Sequence, residues 1–381
     1  KIGNRAMLWG AVAGTIPDLD VFAKAVMDDM SALAFHRGIS HSIFFAIVAA
    51  PILGKMVQQL YDSNLYQKKA YKIFVLSSLI GLLIFLNFIP VFIKGTISPV
   101  FSAIILTLSA LVAWRMWKNY VSVPLDEVHA SWKEWTSLFF WAIFTHPILD
   151  CFTTFGTQLF QPFSDYRVAF NVISVVDLGY TVPLLLCLMF ASRIPKNKSK
   201  RKWINYAGLA ISSAYMLFCF YHKTKVNQVF EDSFKKEGIT YQRYMTTPTI
   251  FNNILWQGIV ETEQEYYHAY YSIWDKTASL SKISKIEKNH QLLDNYKENR
   301  AVKILTWFSN NYYNVLQKTD GDLQVNDLRF GSLGDFDDAE SYVFKFILKE
   351  KNGHLEGYES RNPKRANRAV FKKLWKRLKG I

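Results

Sequence analysis

Chemistry in this chain is concentrated in three short stretches. His36-Arg37-Gly38-Ile39-Ser40-His41-Ser42 sets two imidazoles five residues apart, with a guanidinium and two hydroxyls among them. His146-Pro147-Ile148-Leu149-Asp150 sets an imidazole and a carboxylate at i and i+4, a spacing that brings both to one face of a helix. Pro17-Asp18-Leu19-Asp20 adds two more carboxylates. Each stretch has a plainer reading: a loop whose histidines bond backbone, a satisfied His–Asp pair inside a bundle, and caps for the segment that follows. Taken together, Asp18, Asp20, His36, His41, His146 and Asp150 offer imidazoles and carboxylates in the mixture that suits a divalent transition metal. Zinc is the first expectation, manganese or iron the alternatives, and the ligands suffice for one ion or two. Such a metal would activate a water molecule. An Asp18 or Asp20 not bound to it would act as general base, and Arg37 would stabilise charge in the transition state. There is no Gly-x-Ser-x-Gly, no P-loop and no cysteine arranged as a nucleophile.

The elements that must position these residues are apolar. Half of the 381 residues are hydrophobic, but residues 1–221 consist mostly of apolar runs while 222–381 are polar and aromatic. Ala6–Ile16 is too short to span a bilayer, which takes about 20 residues. Expected spans are Ile43–Leu60, Ile73–Ile93, Pro99–Trp114, Trp135–Asp150, Val168–Phe190 with Asp177 inside it, and Trp203–Tyr221. The expected fold is an α-helical multi-pass membrane domain of about six or seven segments (1–221), a small α+β extracytoplasmic domain (222–362) and a basic amphipathic tail (363–381). Net charge is +14, with much of the excess in span-flanking loops, Lys68, Lys69 and Lys72, Arg115, Lys118 and Lys133, and Arg193 to Lys202. That alternation predicts cytoplasmic basic loops and lipid contact, not nucleic-acid binding. It also brings all candidate ligands to the outer face. Cys151, Cys187 and Cys219 fall within or beside apolar runs and show neither metal spacing nor a disulfide framework.

After Asp150 the connection to Arg167 is aromatic and rich in hydroxyls. Thr153, Thr154, Thr157 and Gln158 are candidate donors toward the site. Arg37 and Arg167 are candidates for holding an anionic group such as a phosphate; snorkelling to lipid headgroups is the competing reading. Beyond Tyr221, Tyr266–Trp274 reads as a strand, Asp320-Gly321 as the turn of a hairpin between Tyr312–Gln317 and Leu323–Phe330, and Ser341–Leu348 as another strand. His222, His268, His290 and His354 show no ligand pattern. Residues 363–379 carry Ala366, Val370, Phe371, Leu374, Trp375 and Leu378 on one helical face and lysines and arginines on the other. That pattern suits an anionic membrane surface or docking on its own domain.

The Pro-Asp-Leu-Asp, His-Arg-Gly-Ile-Ser-His-Ser and Thr-His-Pro-Ile-Leu-Asp-Cys-Phe-Thr-Thr-Phe-Gly-Thr elements, in this order, resemble the YdjM-like family of bacterial membrane-bound, metal-dependent hydrolases. That family is also described as LexA-binding, inner membrane-associated hydrolases. The resemblance covers roughly residues 1–220 and implies metal binding at Asp18, Asp20, His36, His41, His146 and Asp150. Relative to the family, residues 73–114 look like an insertion, and an apolar N-terminal segment is expected before Lys1. A looser likeness to zinc-dependent phospholipases C points toward phosphoesters. The expectation is a metal-dependent hydrolase of the bacterial inner membrane, acting on a lipid or lipid-linked ester, most plausibly a phosphoester. Its partners are expected to be membrane lipid and that substrate, with its site and C-terminal domain outside the cytoplasm. The alternatives are a transporter or metal-handling protein using the same cluster, and a non-catalytic membrane scaffold.

Overall fold

The structure is a computed structural model; it describes residues 2–88, 98–280, 282–333, 336, 338–351, 354–360 and 368–380. The end of the expected span Ile73–Ile93, with Lys94 after it, and the start of the tail at 363–367 lie outside the described residues.

The helices are α1 (Arg5–Thr15), α2 (Asp29–Phe35), α3 (Ile43–Asp62), α4 (Lys69–Phe85), α5 (Pro99–Met116), α6 (Trp132–Asp150), α7 (Leu178–Ser192), α8 (Ser199–Lys236), α9 (Arg300–Phe308) and α10 (Arg368–Leu378). Four stretches among the described residues are long and apolar enough to cross a membrane: Ile43–Asp62, Lys69–Phe88, Pro99–Val121 and Ser199–Lys236. Helix α7 is apolar but shorter. Helix α6 forms where a span is expected, yet Lys133 and Glu134 sit in its first turn, and it is not among the four.

Val168–Phe190 is not one helix. Asp177 is the N-cap of α7, accepting from the backbone N–H of Gly179 (2.8 Å) and Tyr180 (3.3 Å). Residues before it are not helical, with Val168 bridged to Thr157 and Asn171 in the left-handed region at φ 54°. A carboxylate that satisfies orphan amide groups starts a helix instead of sitting inside one.

By contacts the chain divides into two compact units, 1–13 with 46–142 and 14–45 with 143–381. Residues 1–221 therefore contribute to both. In the first unit, Gly54 of α3 lets α6 approach: a Cβ there would lie 2.7 Å from the backbone N of Thr136. Tyr61 stacks on Trp135 at 5.2 Å, and Trp9 donates to the Tyr61 hydroxyl (3.1 Å).

In the second unit, α8 runs unbroken for 38 residues, roughly 57 Å at 1.5 Å per residue. It passes straight through the expected boundary at Tyr221. Val226, Val229, Phe230 and Phe234 recur at helical spacing on its far half and pack on Trp256, Val260, Ala269 and Tyr271. These belong to an antiparallel sheet of β1 (Arg243–Pro248), β2 (Leu255–Glu261), β3 (Glu265–Ser272) and β4 (Ile283–Glu287). A second antiparallel sheet holds β5 (Tyr313–Gln317), β6 (Leu323–Ser332), β7 (Tyr342–Lys351) and β8 (His354–Glu359). The Asp320-Gly321 hairpin pairs β5 with β6 in the register Val315↔Val325. The main core joins α9 and the second sheet to Met30 and Leu33 of α2 and to Phe155. Asp28 and Ser31 meet Arg300, and Asp29 accepts the backbone N–H of Glu359. The stretch before the first histidine is thus built into the C-terminal domain.

Candidate metal centre

Four donors converge in the second unit. Asp18 comes from a 3-10 turn over Pro17–Ala25, where Pro17 starts the turn, and His41 from a second one over Ile39–His41. His146 and Asp150 come from the last turn of α6. Their ligand atoms all lie within 4.8 Å of one another. His41 Nε2 is 3.4 Å from Asp18 Oδ1 and 3.5 Å from Asp150 Oδ2; His146 Nε2 is 3.4 Å from each. These separations are too long for good hydrogen bonds. Ligand atoms gathered this closely could hold one ion between them. His41 Nε2, His146 Nε2 and Asp150 Oδ2 are buried without a hydrogen-bond partner. Buried polar atoms are normally satisfied, so an orphaned trio aimed at one point fits a cation. The fourth donor, Asp18, is 50% exposed. Among the described residues no other His/Cys/Asp/Glu group gathers in this way.

Asp20 and His36 stand beside this set. Asp20, 1% exposed, faces His36 Nδ1 at 2.7 Å and His41 Nδ1 at 3.3 Å. It also accepts from the Arg37 backbone N–H (2.8 Å) and from Ser40 Oγ (3.2 Å). A carboxylate on the second nitrogen of a histidine fixes its tautomer and aims the other nitrogen outward. The four-donor set therefore leaves Asp20 and His36 out, although all six residues are neighbours.

The charges are strongly coupled. The imidazoles of His146 and His41 hold the Asp18 carboxyl well below the usual carboxylate range. Burial would raise Asp20, but His36 and His41 outweigh it and keep its carboxyl low as well. Burial opposes a charge on His41, yet Asp18 and Asp20 raise its pKa. Burial, and then Asp150, push the Cys151 thiol up to about 11, leaving it a protonated bystander.

Arg37 adopts a left-handed backbone, φ 56°, which costs a non-glycine residue about 1–3 kcal/mol unless its surroundings enforce it. They do so from three sides. Asp20 takes its N–H, Gln158 N–H donates to its carbonyl (3.0 Å), and Arg167 donates twice to the preceding carbonyl of His36 (3.3 Å each). The guanidinium then reaches Asp150 (3.1 Å) and Thr153 Oγ1 (2.9 Å), 5.1 Å above the Phe155 ring. Its Nε is buried and unpartnered.

Arg167 donates further to the carbonyls of Phe155 and Gly156 and packs over Phe155 and Trp307. Burial, with Arg329 and Arg37 nearby, pushes its pKa down to about 9. Thr153 is bonded to Arg37 and to the Asp150 carbonyl. Thr154 pairs with the Thr247 hydroxyl at 2.5 Å, and Thr157 is fully buried. Phe155, the platform under both arginines, carries no chemical signal in the sequence. Ser40, in contrast, stands inside the histidine stretch, where its hydroxyl donates to Asp20 (3.2 Å) and meets His41 Nδ1 (3.1 Å).

The fold and the site define a membrane protein with several apolar helices and a His/Asp cluster able to hold a metal ion. The profile of the YdjM inner membrane protein family matches residues 1–88 and 96–226, and the chain belongs to that family. All four converging donors lie inside the matched residues, whereas both sheets lie beyond them. No curated protein and no solved structure matches the chain.

Proposed function

We propose that this protein is a membrane-bound, metal-dependent hydrolase of a lipid or lipid-linked ester, with a phosphoester as the favoured substrate and zinc as the favoured metal. One observation carries the reading: three buried ligand atoms without hydrogen-bond partners, His41 Nε2, His146 Nε2 and Asp150 Oδ2, meet a fourth ligand, Asp18, that is half exposed. A structural metal site is closed by its ligands, and a catalytic one keeps an open position. The exposure of Asp18 leaves that open side.

In this reading His41, His146 and Asp150 hold the ion, which supplies Lewis acidity and a water of lowered pKa. Asp20 keeps His41 in the tautomer that presents Nε2. Asp18, anionic and on the open side, accepts the proton of the attacking water. Arg37, bonded to Asp150 and held over Phe155, offers its charge to an anionic ester group. Arg167 acts one step behind, holding the His36 carbonyl and so the Arg37 backbone. Thr153 fixes the Arg37 guanidinium, and Thr154 and Thr157 are further candidates for contact with the substrate. The inner membrane is the expected location, with the site and the paired sheets on its outer side.

The test is elemental analysis of the purified protein beside His41→Ala, His146→Ala and Asp18→Asn. The histidine variants lose bound metal. Asp18→Asn keeps it and loses turnover of a phospholipid or lipid-linked phosphate. Metal retained in both histidine variants would defeat the assignment.

A further inference from the structure

The turn that carries Asp18 and Asp20 is two-faced. It turns Asp18 and Asp20 toward the histidines, while Leu19, Phe22 and Val26 stand out, Phe22 at 65% and Val26 at 84% exposure. A second exposed apolar tip lies on the connection after α6, where Phe163 is 85% exposed beside Phe160 and Tyr166. Neither stretch is part of a spanning helix. Both are fixed to the head of one. Asp18 meets His41, two residues before α3 begins at Ile43. The Ile43 N–H donates to the Leu159 carbonyl (3.1 Å), and the Phe163 ring packs edge-on to Phe44 at 6.3 Å. Phe44 is itself exposed on the first turn of α3, where a membrane-crossing helix meets acyl chains. The apolar tips are therefore tied to the exposed first turn of α3, beside the metal centre.

We propose that the 17–26 turn and the 160–166 connection lie in the lipid interface as a collar around the site. The centre then receives amphiphiles laterally from the bilayer, not soluble esters from water. Aromatic and branched side chains of this kind partition into the headgroup and upper acyl region. The identity of the delivered molecule rests on the hydrolase reading; the position of the collar does not.

The experiment is spin labelling at Phe22→Cys and Phe163→Cys, separately, in proteoliposomes of phosphatidylethanolamine and phosphatidylglycerol. Both variants carry Cys187→Ala, since Cys151 and Cys219 are buried. Lys297→Cys, on the paired-sheet domain with its side chain 70% exposed, is the aqueous control. Collision with oxygen should rise at both sites, and collision with a water-soluble nickel chelate should fall several-fold below the control. Nickel accessibility equal to the control at both sites would overturn the proposal in favour of water or a soluble partner. Dipolar broadening that vanishes on dilution with unlabelled protein would assign the surface to a second copy and overturn it too. Metal content measured on the same samples separates this outcome from failure of the metal-site reading.

Discussion

Asp20→Asn is the perturbation that best isolates how the centre is built. The carboxylate is buried, and its two oxygens serve the Arg37 N–H, Ser40 Oγ, His36 Nδ1 and His41 Nδ1. The amide has nearly the same volume, so packing is kept. One oxygen, however, becomes a donor. Turned one way, its NH2 group faces the Arg37 N–H and leaves that donor unsatisfied, at about 1–3 kcal/mol. Turned the other way, it meets His36 Nδ1 and forces that nitrogen to accept. Either way the anion that keeps His41 oriented and basic is gone. Loss of such a supporting partner weakens metal binding about 10–100-fold, or roughly 1.4–2.7 kcal/mol. Competition with a chromogenic chelator, on wild type and variant in the same detergent, reads this directly, with the melting temperature as a folding control. Unchanged affinity in a variant of unchanged melting temperature would refute the orienting role.

Arg167→Met should destabilise the second unit by at least about 2 kcal/mol, since buried carbonyls of His36, Phe155 and Gly156 lose their donor. A melting temperature equal to the wild type would count against the clamp. Gly54→Val should lower the melting temperature, because the added Cβ meets Thr136 backbone and Oγ1 at 2.7 Å, an overpacking of about 1–3 kcal/mol. His268 is buried between Tyr270 and Phe336, and burial pushes its pKa down to about 3. Its native form is neutral, so its share of stability is complete above the unfolded pKa near 6.5 and is lost as pH falls from there toward 3. The slope reaches at most about 1.4 kcal/mol per pH unit. Urea midpoints between pH 7.5 and 5 should therefore fall, and less steeply in His268→Phe; equal slopes would contradict the assignment.

The donors were legible because each sits in a short polar interruption of an apolar run, and i, i+4 spacing needs no tertiary knowledge. What sets Asp20 and His36 apart from the four-residue cluster was not legible, since it depends on which oxygen meets which nitrogen. Val168–Phe190 was misread as a span because hydropathy alone cannot see the Thr157–Val168 bridge or the capping bonds of Asp177. Tyr312–Gln317 and Leu323–Phe330 were recognisable from their Asp-Gly turn. Strand β2 was not, because it is buried at every residue and so lacks the alternation of a half-exposed strand. The docking of Met30 into the C-terminal core left no local mark at all.

That docking has a consequence for biogenesis. Asp28 and Arg300 are 272 residues apart, and Asp29 and Glu359 are 330 apart. Loops of that length close late, after their distal ends have been synthesised. The first histidine loop leaves the ribosome early but receives its scaffold only when strand β8 arrives. A nascent or truncated chain would then carry the motif without the geometry, and a cluster able to hold an ion would be complete only in finished molecules.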